Sequence, residues 1–211
     1  MTDPVYKIIT TPRKYINDSI YQMSEEIDGI TYLCPLYFTW DGLKTRTNEK
    51  VEGYEDCSIC EDWRRYSNFR AWMVEQDWED HEMDKDILIP GNRHYSPDTC
   101  AFVSRRMNNL FRTVHGSTSD LPMGVHYDNE PRRRNKPYGV RLVRFNERIR
   151  LGRYATVEEA YSVYLNAKAD YIYDVAVLER DTRILPAIVA RLPNIRNGTD
   201  PCYTYRTVGR N

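Results

Sequence analysis

The chain has 211 residues, enough for one large domain or two small ones. Hydrophobic residues make up 41%, so a core can be buried, and 30 Lys and Arg nearly balance 31 Asp and Glu, which argues for a soluble protein. No apolar run of about 18 residues occurs, so no membrane span is expected. Residues 1–6 show no basic stretch leading into an apolar one, so no signal peptide is expected and the cytosol is the expected compartment.

The net charge of −1 hides an asymmetry. Residues 49–86 hold thirteen acidic and five basic side chains, whereas residues 121–155 hold nine basic and three acidic ones. The local field, not the total, is what a polyanion meets. Five cysteines at irregular spacing (34, 57, 60, 100 and 202) read as free thiols or metal ligands rather than a disulfide framework.

Residues 1–32 form a polar N-terminal extension. Tyr15, Ile16, Ile20, Met23 and Ile27 stand at roughly helical spacing, predicting a helix over 14–27 ended by Gly29. Residues 33–83 are rich in aromatic rings, which read as a core under loops, with base stacking the alternative. Within them, 67–78 reads as a helix capped by Ser67, with Phe69, Trp72, Met73 and Gln76 on one side. Then come a strand at 86–89, a turn at Pro90-Gly91-Asn92, a strand at 99–103 and a helix from Ser104 through Phe111, a ββα pattern. The small polar run 116–120 is the best linker, separating a lobe over 33–115 from a module over 121–180.

The module begins with a strand at 123–127 and a loop at 128–136 that holds Arg132, Arg133, Arg134 and Lys136. Strands at 138–145 and 148–154 follow, joined by a turn at 146–147. Thr156 and Glu159 form a capping box. The helix it opens carries Val157, Ala160, Tyr161, Tyr164, Tyr171, Val175 and Leu178 as a stripe for one sheet face. Alternation leaves Arg148 and Arg150 on the other face, away from Ile149 and Leu151. An arginine-rich sheet face suits a DNA major groove, and loop arginines suit phosphates; the plainer alternative is a solvated basic face. Residues 181–211 form a loop-rich C-terminal extension with a short helix at 184–192. The expected fold class is α+β.

The segments Met123-Gly-Val-His-Tyr127, Tyr138-Gly-Val-Arg-Leu142, Arg150-Leu-Gly-Arg-Tyr154 and Thr156-Val-Glu-Glu-Ala-Tyr161 resemble the Apetala-type DNA-binding domain. That resemblance implies a sheet in the major groove of double-stranded DNA, with Arg132, Arg133, Arg134, Arg141, Arg144, Arg148 and Arg150 as contacts; Lys136 joins them from the loop reading, as a phosphate clamp.

The segments at 83–88, 95–103 and 107–109, with Trp63, Phe69 and Trp72 upstream, resemble HNH-type proteins of tailed phages, which commonly place such a block before an Apetala-type module. This second resemblance implies an HNH homing-endonuclease-like lobe and a host-cell cytosol. It also implies a divalent metal, magnesium or manganese, for phosphodiester hydrolysis. Asp84 falls at the acidic metal position and Asn108 at the late ligand position. Lys85 stands where the family has its general-base histidine, and Thr99 where it has its middle asparagine. A lysine beside Asp84 and Asp86 is held protonated, so cleavage is doubtful unless His81 or His94 serves as the base; the plainer reading of both histidines is surface residues. Cys57 and Cys60 have the spacing of half a structural zinc site, with ordinary thiols as the alternative. The leading expectation is a DNA-binding protein. The alternatives are a non-catalytic regulator or inhibitor of a host enzyme, and a host-protein partner for the acidic stretch 49–86.

Overall fold

The computed structural model describes residues 14–20, 23–48, 51–111, 120–130, 132 and 134–204. The class is α+β, with five α-helices and four small sheets among these residues. Nowhere among them is a helix long and apolar enough to cross a membrane.

The helix expected over 14–27 does not form. Strands β1 (Ser24–Ile27) and β2 (Ile30–Leu33) pair as an antiparallel hairpin instead. Asp28 and Gly29 take φ values of 53° and 74°. Positive φ at both central residues is what a two-residue hairpin loop needs, and Asp-Gly supplies it. This local turn outweighs the apolar spacing. Helix α1 (Pro35–Asn48) opens on a proline, which suits a first helical turn.

The aromatic stretch makes the first core. Trp40, Trp63, Tyr66 and Phe69 are almost fully buried, which leaves none of these four rings open for base stacking. The Trp40 indole donates to the Trp63 carbonyl at 2.7 Å, so its polar edge is satisfied inside the core. Helix α2 (Tyr66–Met73) is shorter than the expected 67–78. Its first turn is capped from a distance: Asp18 accepts the Ser67 N–H at 2.9 Å and the Ser67 hydroxyl at 2.8 Å. The short β3 (Ser58–Ile59) pairs with β5 (His94–Tyr95) in parallel.

The ββα pattern is present with shifted strands. Strand β4 (His81–Asp84) pairs antiparallel with β6 (Ala101–Ser104), and α3 (Arg105–Phe111) follows. The first strand ends before 86–89 because the Asp84 carboxylate accepts the N–H groups of Asp86 and Ile87, both at 2.6 Å, and closes a turn. Ser104 caps α3 as expected, accepting the Met107 N–H at 3.1 Å.

The module contains β7 (Val125–Tyr127), β8 (Tyr138–Arg144) and β9 (Glu147–Tyr154) in one antiparallel sheet, in that order. Helix α4 (Val157–Ala176) packs across it, its start capped by Thr156, which accepts the Glu159 N–H at 3.1 Å. The β8–β9 turn is Phe145-Asn146, one residue before the expected position, with φ values of 47° and 70°. Tyr171 offsets the strain at Phe145: its hydroxyl accepts the Phe145 N–H at 3.2 Å and its ring meets the Phe145 ring edge-on.

Packing crosses the expected linker. Ile87, Ala101, Val103, Met107 and Leu110 share one core with Val140, Leu142, Tyr164 and Ile172. Helix α5 (Ile184–Arg196) adds Ile184, Ile188 and Ile195, so part of the C-terminal extension is core. The C-terminal turn is fixed by a buried ion pair, Arg191 to Asp200 at 2.5 Å, and by the Tyr203 hydroxyl donating to the Leu110 carbonyl.

Two substitutions test this packing. Gly124 has a φ of 79°, and a Cβ there would lie 2.1 Å from the buried Tyr164 ring. Gly124→Ala should therefore cost about 2–4 kcal/mol in urea unfolding. Lys168 is buried on α4, and desolvation pushes its ammonium down to about 8. The folded state thus sheds this proton before the unfolded one does. The lysine's destabilisation is complete below pH 8 and fades as pH rises towards the ordinary lysine value. Lys168→Met should raise stability at pH 7 by about 1–3 kcal/mol and flatten its rise above pH 8.

Candidate functional site

The free face of the module sheet is built by strand alternation. Arg141 pairs with Arg150, and Val143 with Arg148, so these four side chains stand together on the face away from α4. The three arginines are exposed and engage no partner among the described residues. Arg144 lies on the opposite face, where its guanidinium meets Asp174 of α4 at 2.5 Å. It joins sheet to helix, unlike the other strand arginines.

A β-bulge brings a further arginine to the free face. The register shifts between Val140 and Arg141: Val140 faces Gly152 while Arg141 faces Arg150, leaving Leu151 as the extra residue. Arg153, opposite Gly139, therefore shares a face with Arg150 although it lies three positions further along the strand. Simple alternation from Arg148 and Arg150 puts Arg153 on the wrong side. The Leu-Gly step at 151–152, with Gly152 at a φ of 118°, was the available signal.

Arg153 does not point freely outward. It donates to the carbonyls of Lys136 and Pro137 at 3.0 and 2.9 Å and pairs with Asp128 at 3.2 Å. It thereby holds both ends of the loop 128–137 against the sheet. On that loop Arg132 is exposed and paired with Glu130, while Arg134 and Lys136 are exposed. Arg133 lies outside the described residues. His126 and Gly139 complete the face. A Cβ at position 139 would come 2.5 Å from the His126 ring, so glycine leaves room for the imidazole to lie across the strand. His126, Gly139, Arg141, Arg150, Gly152 and Arg153 line a shallow cavity of about 230 Å³.

The residues expected to form a cleavage site have other tasks. Lys85 is buried and donates to Asp86 at 2.6 Å and to the Asn92 carbonyl at 2.9 Å. Asp84 is enclosed in its own turn, and burial pushes its carboxyl up against the opposing effect of the two N–H groups it accepts. Asn108 donates its amide to Glu82, not to Asp84. Through its Nδ1, His81 donates to the Glu79 carbonyl at 2.7 Å; strand alternation sets it on the face opposite Glu82 and Asp84. His94, on β5, meets the Ser58 hydroxyl at 2.9 Å. Thr99 spends its hydroxyl on the His94 carbonyl at 2.6 Å. Cys57 is buried near Arg93, and burial raises the Cys60 thiol. No three of His, Cys, Asp and Glu converge as a metal site among the described residues.

No family model, curated protein or solved structure matches the chain.

The loop clamp is testable by itself. Arg153→Ala removes both carbonyl contacts and leaves Asp128 without this partner. Hydrogen exchange at loop amides 128–137 should rise at least tenfold, with exchange in α2 unchanged; equal protection of the loop would show that Arg153 does not hold it.

Proposed function

We propose that this protein binds double-stranded DNA through the β8–β9 face, with the loop 128–136 clamping the adjacent backbone. The observation that carries this reading is the cluster of Arg141, Arg148 and Arg150, exposed on one sheet face and without a partner among the described residues. Other arginines of the same half of the chain are paired with carboxylates: Arg144 with Asp174, Arg153 with Asp128, Arg183 with Asp181, Arg191 with Asp200. Guanidiniums held without carboxylates present rigid forks to guanine edges or phosphates. A three-stranded sheet has the width to enter a major groove, and Arg153 sets the loop at its rim. The resemblance of 121–180 to the Apetala-type domain agrees with this placement.

Cleavage is the less supported reading. A divalent magnesium or manganese ion would supply Lewis-acid stabilisation of the leaving oxygen. The donor set around Asp84 does not fit one: a single buried carboxylate satisfies two backbone N–H groups, and Asn108 is turned to Glu82. Nor does the Lys85 ammonium, which donates twice, offer a lone pair to a water. The proposed role is therefore a non-catalytic DNA binder, such as a regulator. Structural zinc at Cys57 and Cys60, and a protein partner for 49–86, form no part of it.

DNA binding should be salt-dependent. Replacing both Arg148 and Arg150 with Ala should weaken binding to duplex DNA at least tenfold. If both contact phosphate, the slope of log affinity against log salt should fall by about 2. Replacing Arg144 with Ala should cost stability more than affinity. Unchanged affinity and slope in the Arg148/Arg150 variant would sink the proposed face.

A further inference from the structure

The β1–β2 hairpin is exposed along its whole length on both strands. Two-stranded ribbons are marginal alone in water, and this one shows apolar side chains to solvent. Register puts Glu25 opposite Tyr32 and Ile27 opposite Ile30, so these four residues form one face. Ile27, Ile30 and Tyr32 are 47%, 57% and 52% exposed. The hairpin also carries Glu26 and Asp28 and no basic residue, which makes it strongly acidic.

The free sheet face of the module has the reciprocal pattern. Its two opposed pairs are Arg141 with Arg150 and Val143 with Arg148, and Val143 is 56% exposed. Both faces are two-by-two arrays on antiparallel strands, so their spacings match. One offers three apolar groups and a carboxylate; the other offers three guanidiniums and an apolar group. Laid together, Glu25 and Tyr32 meet Arg141 and Arg150 through an ion pair and a ring–cation contact. Ile27 and Ile30 then cover Val143 and the aliphatic stem of Arg148. Two hairpins placed face to face would instead bring together two acidic ribbons that carry no basic residue.

We infer that the β1–β2 hairpin of one copy docks on the β8–β9 arginine face of a second copy, two such contacts closing a two-fold dimer. Closure is reciprocal, since each copy both donates a hairpin and receives one. The occupied face is the one proposed above for DNA, so dimer and DNA-bound forms exclude each other. That exclusion rests on the proposed function; the docking itself does not.

The test is sedimentation velocity of the full chain across concentration and salt. The expected result is a monomer–dimer equilibrium that weakens at high salt. Glu25→Lys and Arg150→Glu should each raise the dimer dissociation constant at least tenfold. An equimolar mixture of the two variants should restore association, because each mixed contact regains opposite charges. Ile30→Ser, which leaves charge alone, should weaken the dimer several-fold. Circular dichroism spectra matching the parent chain would exclude misfolding for these exposed positions. A monomer at all concentrations and low salt, or no rescue in the mixture, overturns the docking. Addition of a short duplex should dissolve the dimer. A dimer that satisfies the charge-swap test yet is untouched by saturating duplex would retain the docking and defeat the DNA-binding face. A duplex that binds a strictly monomeric chain would do the reverse.

Discussion

The period-two alternation of strand β6 is the constraint on which the architecture depends. Successive side chains point to opposite faces, so Phe102 enters the aromatic core while Ala101 and Val103 enter the core of the module. Phe102 stacks on Trp72 with ring centroids 5.7 Å apart. One four-residue strand thus belongs to two cores. At its end, Ser104 ties it to the module again: its N–H and hydroxyl both donate to the Glu179 carboxylate, at 2.9 and 2.5 Å. Arg183 adds bonds to the carbonyls of Pro97 and Cys100. The ββα unit and the basic sheet therefore form one packed body, although their sequences look like separate units.

This packing also explains how the charged groups of the ββα unit are engaged. Glu82 and Asp84 pair with Val103 and Ala101, so they sit on the strand face turned to the module core. Carboxylates there need partners. Glu82 finds Asn108 and Arg105, and Asp84 finds the backbone of its own turn. Lys85, buried at the next position, needs acceptors and takes Asp86 and the Asn92 carbonyl. Each polar group is satisfied internally, as buried groups must be. An arrangement that satisfies its own donors and acceptors holds the turn after β4 and the start of α3 in place.

The charge asymmetry has a structural outcome of the same kind. At the packing boundaries of the module, Arg144, Arg183 and Arg191 are each accompanied by a carboxylate. Arg141, Arg148 and Arg150 have none among the described residues, because their neighbours across the strands are one another and Val143. Holding like charges side by side opposes folding and favours an anionic ligand, whether a nucleic acid or an acidic surface. The hairpin supplies such a surface within the same chain.

Much of the module was legible in the sequence. Its three strands, the Thr156 cap, the long amphipathic helix and the outward placement of Arg148 and Arg150 all follow from local periodicity and local capping. Those signals act between residues a few positions apart, so one chain segment contains them. Other features needed tertiary structure because their causes lie far apart in the chain. Asp18 caps α2 across 49 residues, and Arg144 is drawn to Asp174 across 30. The bulge at Leu151 brings Arg153 to the arginine face, and only the register with β8 reveals it. The Asp28-Gly29 turn was visible, yet apolar spacing over 14–27 masked it, because both patterns occupy the same residues. Sequence alone placed the basic strands; the fold decided which arginines remain without a partner, and that depends on which carboxylates three-dimensional packing brings beside them.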